Sequence, residues 1–440
     1  MKTLFREATE TATNCRLRKV FGRVTQVVGL VIESNGPNAR VGDLVEIETG
    51  NSDPTRAEVV GFRGDRMLLM PLSELAGVRA GCLVHALGHG PMAPTGNALL
   101  GRVLDGFGNP MDGLGPIPSR HFAPIHNLPP NAMQRQMIAR PMPTGVRAID
   151  GLLTLGEGQR LGIFAGSGVG KSTLLGMIAR NTEADVNVIA LIGERGREVR
   201  EFLEHDLGEE GRKRSIVVCA TSEQPAVVRI QAALLATAIA ESFRDEGKRV
   251  LLMMDSVTRF CMAQREVGLA IGEPPSTKGY TPSVFAMLPK LMERAGMGAK
   301  GSITALYTIL VEGDDTNEPI ADAARSILDG HIVLSRKLTG RGHYPPIDVV
   351  QSLSRVMPMV VSPEQIECAR QFREWISAYY DIEDLVSIGA YKAGAQPLAD
   401  QALAQWPKMN AFCQQNKADG STWEDTISNL AALCNIPEVE

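Results

Sequence analysis

The sequence predicts an α/β protein in three parts: a small β-barrel over residues 1–89, a parallel-sheet core over 90–362 and a helical domain over 363–440. Three textures predict it. Between Gly22 and His89, the β-rich pieces "GRVTQVVGLVIES", "DLVEIET", "AEVVGF" and "MLLMPL" are separated by turn residues such as "NGPN" and "RGD". They recur about every ten residues, the spacing of a small closed barrel. After the Gly/Pro-punctuated bridge "LLGRVLDGFGNPMDGLGPIP", the apolar runs "RLGIFAG", "NVIALIG", "SIVVCAT", "RVLLMMDS" and "SITALYTILVEG" alternate with helical patterns. Between two of them lies "EQPAVVRIQAALLATAIAESFRDEG", so the texture is that of parallel strands with crossover helices. Beyond Ser362-Pro363, the apolar residues Ile366, Ala369, Phe372, Ile376 and Tyr379 fall three or four apart, as on one face of a helix.

Composition narrows the function classes. The chain has 440 residues, 44% hydrophobic and 22% charged, which fits two or three globular domains. No unbroken apolar run approaches the roughly 18 residues of a membrane span. The first twenty residues, "MKTLFREATETATNCRLRKV", have no apolar centre, so a secretory signal is not expected. Seven scattered cysteines (15, 82, 219, 261, 368, 413, 434) form no C-x-x-C pair and predict reduced core thiols. Residues 1–90 hold eleven Lys and Arg against ten Asp and Glu, whereas 361–440 hold five against twelve, a net of minus seven. That acidic end is either a solvated face or a surface for a basic partner, and it does not favour nucleic acid.

The central chemistry is in "FAGSGVGKST", Phe164 to Thr173, placed after a strand-like run and before a helical one. It matches G-x-x-x-x-G-K-[ST] with Ala165 in the place of the first glycine, a difference of one methyl. Gly168 and Gly170 stand intact beside Lys171 and Ser172. The stretch Ala165, Gly166, Ser167, Gly168, Val169, Gly170, Lys171, Ser172 and Thr173 is therefore the predicted nucleotide site. Backbone N–H groups from Ser167 to Lys171 would cradle a polyphosphate at the positive end of the following helix. Lys171 would meet the β- and γ-oxygens, and the Ser172 hydroxyl would ligate magnesium. Two carboxylates complete the set. Asp255 ends the strand-like "VLLMMD", where the parallel sheet would bring a magnesium-shell acid beside the phosphate loop. Glu194 in "ALIGERGREVREF" ends the strand after the phosphate-loop helix and would polarise the attacking water. The bland alternative makes Glu194 one member of a surface ion-pair cluster with Arg195, Arg197, Glu198 and Arg200.

Together with "GEGQRLGIFAGSGVGKSTLLGMIARNTEADVNVIALIGERGREVREF", the blocks "MMDSVTRFCMAQREVGLAIGEPPSTKGYTPSVFAMLPKLMERAG", "LYTILVEGDDTNEPIADAARSILDGHIVLSR", "HYPPIDVVQSLSRVMP" and "DLVSIGAYKAGA" spell a family. From about Gly22 to Ala404, the chain resembles the export ATPases of flagellar and type III secretion systems, relatives of the catalytic subunit of rotary ATP synthases. The resemblance implies an N-terminal β-barrel, a RecA-like P-loop core and a helical C-terminal domain, assembled as a homohexameric ring with sites at subunit boundaries. It implies ATP and Mg2+ as ligands, Glu194 as the residue aligning water, Arg195 near the γ-phosphate and Arg355 in "SLSRVMP" as a finger into the neighbouring site. A local salt bridge is the bland reading of Arg355, and Arg336 in "VLSRK" is its rival for the finger on sequence alone. Tyr344 in "GHYPPID" matches an aromatic near adenine, although a tyrosine before two prolines is also an ordinary loop anchor.

The same resemblance implies partners. They are a stator-type regulator at the N-terminal segment, here about twenty residues, a central coiled-coil stalk, export chaperones and their substrates, and a membrane export gate. Localisation would be cytoplasmic, at the periphery of the inner membrane. Gly272 to Pro282 and Gly313 to Pro319 match loops that face the ring's channel, while turn chemistry explains both nearly as well. Three other functions compete: a non-catalytic ring subunit, which would lack an acid at position 194; an RNA translocase, which the charge balance of residues 1–90 does not favour; and a synthase subunit proper.

Overall fold

The computed structural model describes residues 20–50, 53–311 and 318–434. It divides into two compact units, the first ending at Pro91 and also holding Ala270–Gly272, the second comprising the rest. In the first unit, β1 (Phe21–Val28), β2 (Val31–Ser34), β3 (Leu44–Ile47), β4 (Thr55–Arg63), β5 (Arg66–Pro71) and β6 (Leu83–Ala86) close a barrel in the order β1-β2-β5-β4-β3-β6. The run "GRVTQVVGLVIES" becomes a hairpin rather than one strand: Gly29, at a φ of 58°, reverses the chain and pairs Val28 with Val31. Val24, Ile32, Val45, Ile47, Val59 and Leu69 fill the interior. Alternation along β3, with Val45 and Ile47 buried between half-buried Leu44 and Glu46, is the period-two pattern of a closed small barrel.

The second unit is built on one sheet. Its strands are β8 (Val103–Leu104), β10 (Arg160–Ala165), β11 (Val186–Ile192), β12 (Ser215–Ala220), β13 (Arg249–Asp255), β14 (Gly296–Met297), β15 (Ser302–Leu310), β16 (Gly330–Leu334) and β17 (Ile347–Ser354). β7 (Met92–Thr95) and β9 (His121–Pro124) form a separate ribbon. Sheet order is β17-β16-β10-β15-β13-β11-β12-β8, parallel from β16 to β8, with β17 antiparallel at one edge and β14 paired to β15. β11, β12 and most of β13 and β15 are buried, as strands covered on both faces must be. β16, β17 and β8 were not evident as apolar runs: β16 alternates between buried and half-buried positions, and β8 has only two residues.

The helices that matter for the site are α1 (Arg147–Leu152), α2 (Lys171–Asn181), α3 (Ala226–Asp245), α4 (Pro363–Ser387), α5 (Pro397–Cys413) and α6 (Trp423–Leu433). α3 is long and apolar enough to cross a membrane, but 89% of its apolar window is buried, and it packs on β11, β12 and β13. α4 begins at the Ser362 cap, whose side chain accepts from the Gln365 N–H, with Pro363 in the first turn. The predicted stripe closes there: Ala369, Phe372 and Ile376 join Phe412 and Leu430 in the same core as Leu174 and Ile178 of α2. The helical end and the nucleotide sheet therefore share one hydrophobic interior.

Candidate active site

β10 runs into the phosphate loop, and the loop explains its own sequence. Ala165, buried, is the last residue of β10 and pairs with Leu310 and Leu334, so its methyl sits in the core where the strand has room for it. Glycine is required further on. Gly168 and Gly170 have φ of 77° and 91°, left-handed backbone that a side chain would strain, and Gly170 caps α2. α2 then opens with Lys171, Ser172 and Thr173, all half-buried, around a cleft of about 650 Å³.

Three charged groups meet in this cleft. Lys171 Nζ lies 2.5 Å from Asp255 Oδ1 and 3.5 Å from Glu194 Oε1. Glu194 Oε1 is buried and has no hydrogen-bond partner closer than that ammonium. Asp255 is further held by Thr308, whose Oγ1 donates to Oδ1 at 2.8 Å. β15, which carries Thr308, lies between β10 and β13, so the acid reaches the phosphate loop across an intervening strand rather than from an adjacent one. At the end of β11, Gly193 turns the chain at a φ of 70°, and the stem of Arg259 fills the space its Cβ would take, 3.0 to 3.3 Å away. This turn aims Glu194 into the cleft.

Electrostatics acts on Glu194 and Lys171 in different ways. Burial pushes the Glu194 carboxyl up to about 7, reinforced by the Asp255 charge and partly offset by Lys171. Burial also works against the Lys171 ammonium, but Asp255 and then Glu194 outweigh it and hold its pKa above the ordinary lysine value. The cleft thus holds a firmly charged cation and a carboxyl poised near neutrality. Among the described residues no three His, Cys, Asp or Glu side chains group as a metal site. Near the loop, the Ser172 hydroxyl and the Asp255 carboxylate offer hard oxygen donors, a set that suits magnesium completed by phosphate and water.

The arginines divide. Arg195 and Arg336 both line the cleft, Arg195 largely exposed with Glu198 3.6 Å away. Arg355 is exposed just past β17, its backbone N–H donating to Asp329 at 3.0 Å, and does not line this chain's cleft. Tyr344, 48% exposed, stands near Gly170 and lines a second pocket of about 590 Å³, which shares Gly170 and Thr173 with the cleft. That pocket is walled by Thr173, Leu174 and Met177 of α2, by Pro345 and Pro346, and by Gln414 to Lys417. Arg259, whose buried Nε has no hydrogen-bond partner, also lines the cleft, as do Thr258 and Met262. Sequence reasoning passed over Arg259 although "DSVTRF" places it one turn after Asp255. Nothing in the sequence marked Thr308 or the Gln414–Lys417 wall, which only the sheet order and helical packing bring near.

Comparison with known proteins accounts for all three parts. The model of the ATP synthase alpha/beta family nucleotide-binding domain matches residues 145–354, and that family's beta-barrel domain matches residues 24–88. The T3SS EscN ATPase C-terminal domain matches residues 361–432. The flagellum-specific ATP synthase of Bacillus subtilis (strain 168) is 54% identical over 419 residues, 94% of this chain and 95% of that protein. The chain belongs to the flagellar and type III secretion ATPases. As an export ATPase it drives a type III export system by hydrolysing ATP, and the resemblance read from its motifs holds along nearly its whole length. The assembled ATPase EscN of the enteropathogenic E. coli type III secretion system superposes with a TM-score of 0.89 at 47% identity, over 94% of this export ATPase and 99% of that chain. EscN in complex with its central stalk EscO matches at a TM-score of 0.87 and 46% identity, over 94% and 99%.

Proposed function

We propose that this export ATPase works as a homohexameric ring in which each hydrolysing site is shared by two copies. The observation that carries the hydrolysing site is the Lys171–Asp255–Glu194 cluster beside the phosphate loop; its sharing is supported by the assembled EscN relative and by Arg355 lying outside its own chain's cleft. The loop's N–H groups and the N-terminal end of α2 would bind the triphosphate. Arriving γ-phosphate oxygens would compete with Asp255 and Glu194 for the N–H donors of Lys171. Magnesium would be held by Ser172 and Asp255 and would neutralise charge on the β- and γ-oxygens. Glu194, released from the ammonium, would accept a hydrogen bond from the attacking water and orient it in line with the γ-phosphate. A carboxyl titrating near 7 suits that task at neutral pH.

Arg195 sits at the cleft's rim and would add positive charge near the γ-phosphate. Arg355, exposed and outside its own cleft, would serve the neighbouring copy's site, as the family resemblance implies. The pocket beside Tyr344 would take adenine, with the tyrosine ring against the base. In its cell the ring would sit in the cytoplasm against the inner-membrane export gate. There it would release substrates from chaperones and aid their unfolding, turned against a central coiled-coil stalk and held by a stator-type regulator. The stalk is supported by the EscN–EscO complex. The N-terminal segment expected to meet the regulator, residues 1–19, and most of the Gly313–Pro319 loop lie outside the described residues. Gly272–Pro282 is described and includes a short helical turn at Thr277–Gly279.

The deciding experiment is Glu194→Gln. ATP binding, followed by equilibrium titration, is expected to survive while steady-state turnover falls by about a hundredfold or more. A variant that turns over near the wild-type rate overturns the assignment.

A further inference from the structure

Two of the walls of the pocket beside the phosphate loop differ in origin. One is carried by α2 and is held by that helix's own backbone. The other, Ala411 and Gln414 to Asp419, spans the end of α5 and the irregular connection to α6. Past Cys413 this second wall is irregular and is held by hydrogen bonds from other elements. α5 also ends without a basic residue in its last turn, so its final carbonyls need donors from elsewhere.

Arg147, the first residue of α1, supplies them. Its Nε donates to Phe412 O at 3.0 Å, and its Nη2 donates to Ala411 O at 3.3 Å and to Gln414 O. Its backbone N–H donates to Gln415 Oε1 at 3.0 Å. Gln415, buried, passes the restraint on. Its Nε2 donates to Gly145 O at 2.7 Å and to Asp419 O at 2.8 Å, and its N–H donates to Tyr344 O at 2.8 Å. Arg147 itself lines the pocket, as do Gly170 and Thr173. Arg147 thereby ties the helical domain's edge and, through Gln415, the tyrosine's backbone to the start of α1, while Arg180 of α2 donates to Lys417 O farther along the same wall.

We propose that Arg147 is a positioning residue for the nucleotide base: at the Ala411–Gln415 end of the wall, nearest Tyr344, it sets the width of the slot facing α2. This rests on the reading that the pocket takes adenine. Arg147 does not line the cleft of Lys171 and Glu194, so its loss acts on binding of the base and not on the phosphate chemistry. Two or more charge-assisted hydrogen bonds tie down the wall, and loosening them is expected to raise the KM for ATP about tenfold.

The test uses the full chain and a base-free competitor. In Arg147→Ala, KM for ATP should rise about tenfold with kcat within about threefold of wild type. The inhibition constant of inorganic tripolyphosphate, which presents phosphates without a base, should stay within about twofold. Arg147→Lys keeps a cation at the helix end with fewer, unforked donors, and its KM should fall between. A parallel rise in KM and in the tripolyphosphate constant, or an unchanged KM, overturns the proposal; the lysine variant is read the same way where the alanine variant does not fold. A wild-type enzyme that binds tripolyphosphate as tightly as ATP refutes the adenine pocket itself, whatever Arg147 does.

Discussion

Lys171 and Asp255 stand 84 residues apart in the chain, yet Nζ and Oδ1 are separated by 2.5 Å. The strands that lead to them are not neighbours, since β15 runs between β10 and β13. Contact is made because α2 starts above the C-terminal ends of the strands, where side chains from several strands converge on one crevice. That convergence places Lys171 between two acids, Asp255 at 2.5 Å and Glu194 at 3.5 Å, and the remaining predictions perturb the cluster, its supports or the fold around it.

Acidity should switch the enzyme through Glu194. The carboxyl's pKa is raised to about 7, so the proton is retained up to neutral pH, and in the proposed role only the ionised form would orient water. The kcat/KM for ATP should therefore climb between about pH 6 and 8 and level off above, since this parameter reports the free enzyme. A profile flat across that range, measured at constant ionic strength, contradicts the assignment.

Sharing of sites predicts complementation. Arg355→Ala should lose most activity, by as much as the 10³- to 10⁵-fold that such fingers contribute elsewhere, roughly speaking. Mixed with Lys171→Ala subunits, it should regain turnover, because a hybrid boundary joins an intact cradle to an intact arginine. Mixing followed by a phosphate-release assay reads this directly, and absence of rescue points to a site complete within one copy.

Thr308→Val tests the support of Asp255. The substitution keeps the shape of a buried residue and removes the hydroxyl that donates to Oδ1 at 2.8 Å. Loss of one such bond to a charged acceptor is worth about 1.5 to 3 kcal/mol, so the magnesium concentration for half-maximal activity should rise roughly tenfold. An unchanged magnesium titration means that Asp255 is positioned without it.

Stability should hinge on a pair far from the cleft. Arg294, 2% exposed at its side chain, donates through Nε and Nη2 to Glu241, 5% exposed, and through Nη1 to Ile125 O. Arg294→Met strands a buried carboxylate beside Asn127, and denaturant unfolding should show a loss of about 3 to 5 kcal/mol. Adding Glu241→Met should recover much of it, whereas an undiminished loss would place the cost in packing.

The division between what was legible in the chain and what was not follows sequence distance. The phosphate loop, its helix and the acids at positions 194 and 255 are encoded in short windows, because a left-handed glycine, a helix start and a strand end are each set by a few consecutive residues. The same holds for the barrel's turns and the stripe of α4. Ala165 looked like a departure from the motif, and only its place at the buried end of β10 shows why a methyl costs nothing there. Thr308 beside Asp255, Arg259 behind Gly193 and Arg147 beneath the Gln414–Asp419 wall left no local trace. Each acts on a partner at least 50 residues away, and such partners meet only when strand order and helix packing have brought separate windows together. Local rules write the parts of this ATPase, and long-range burial assembles them into a site.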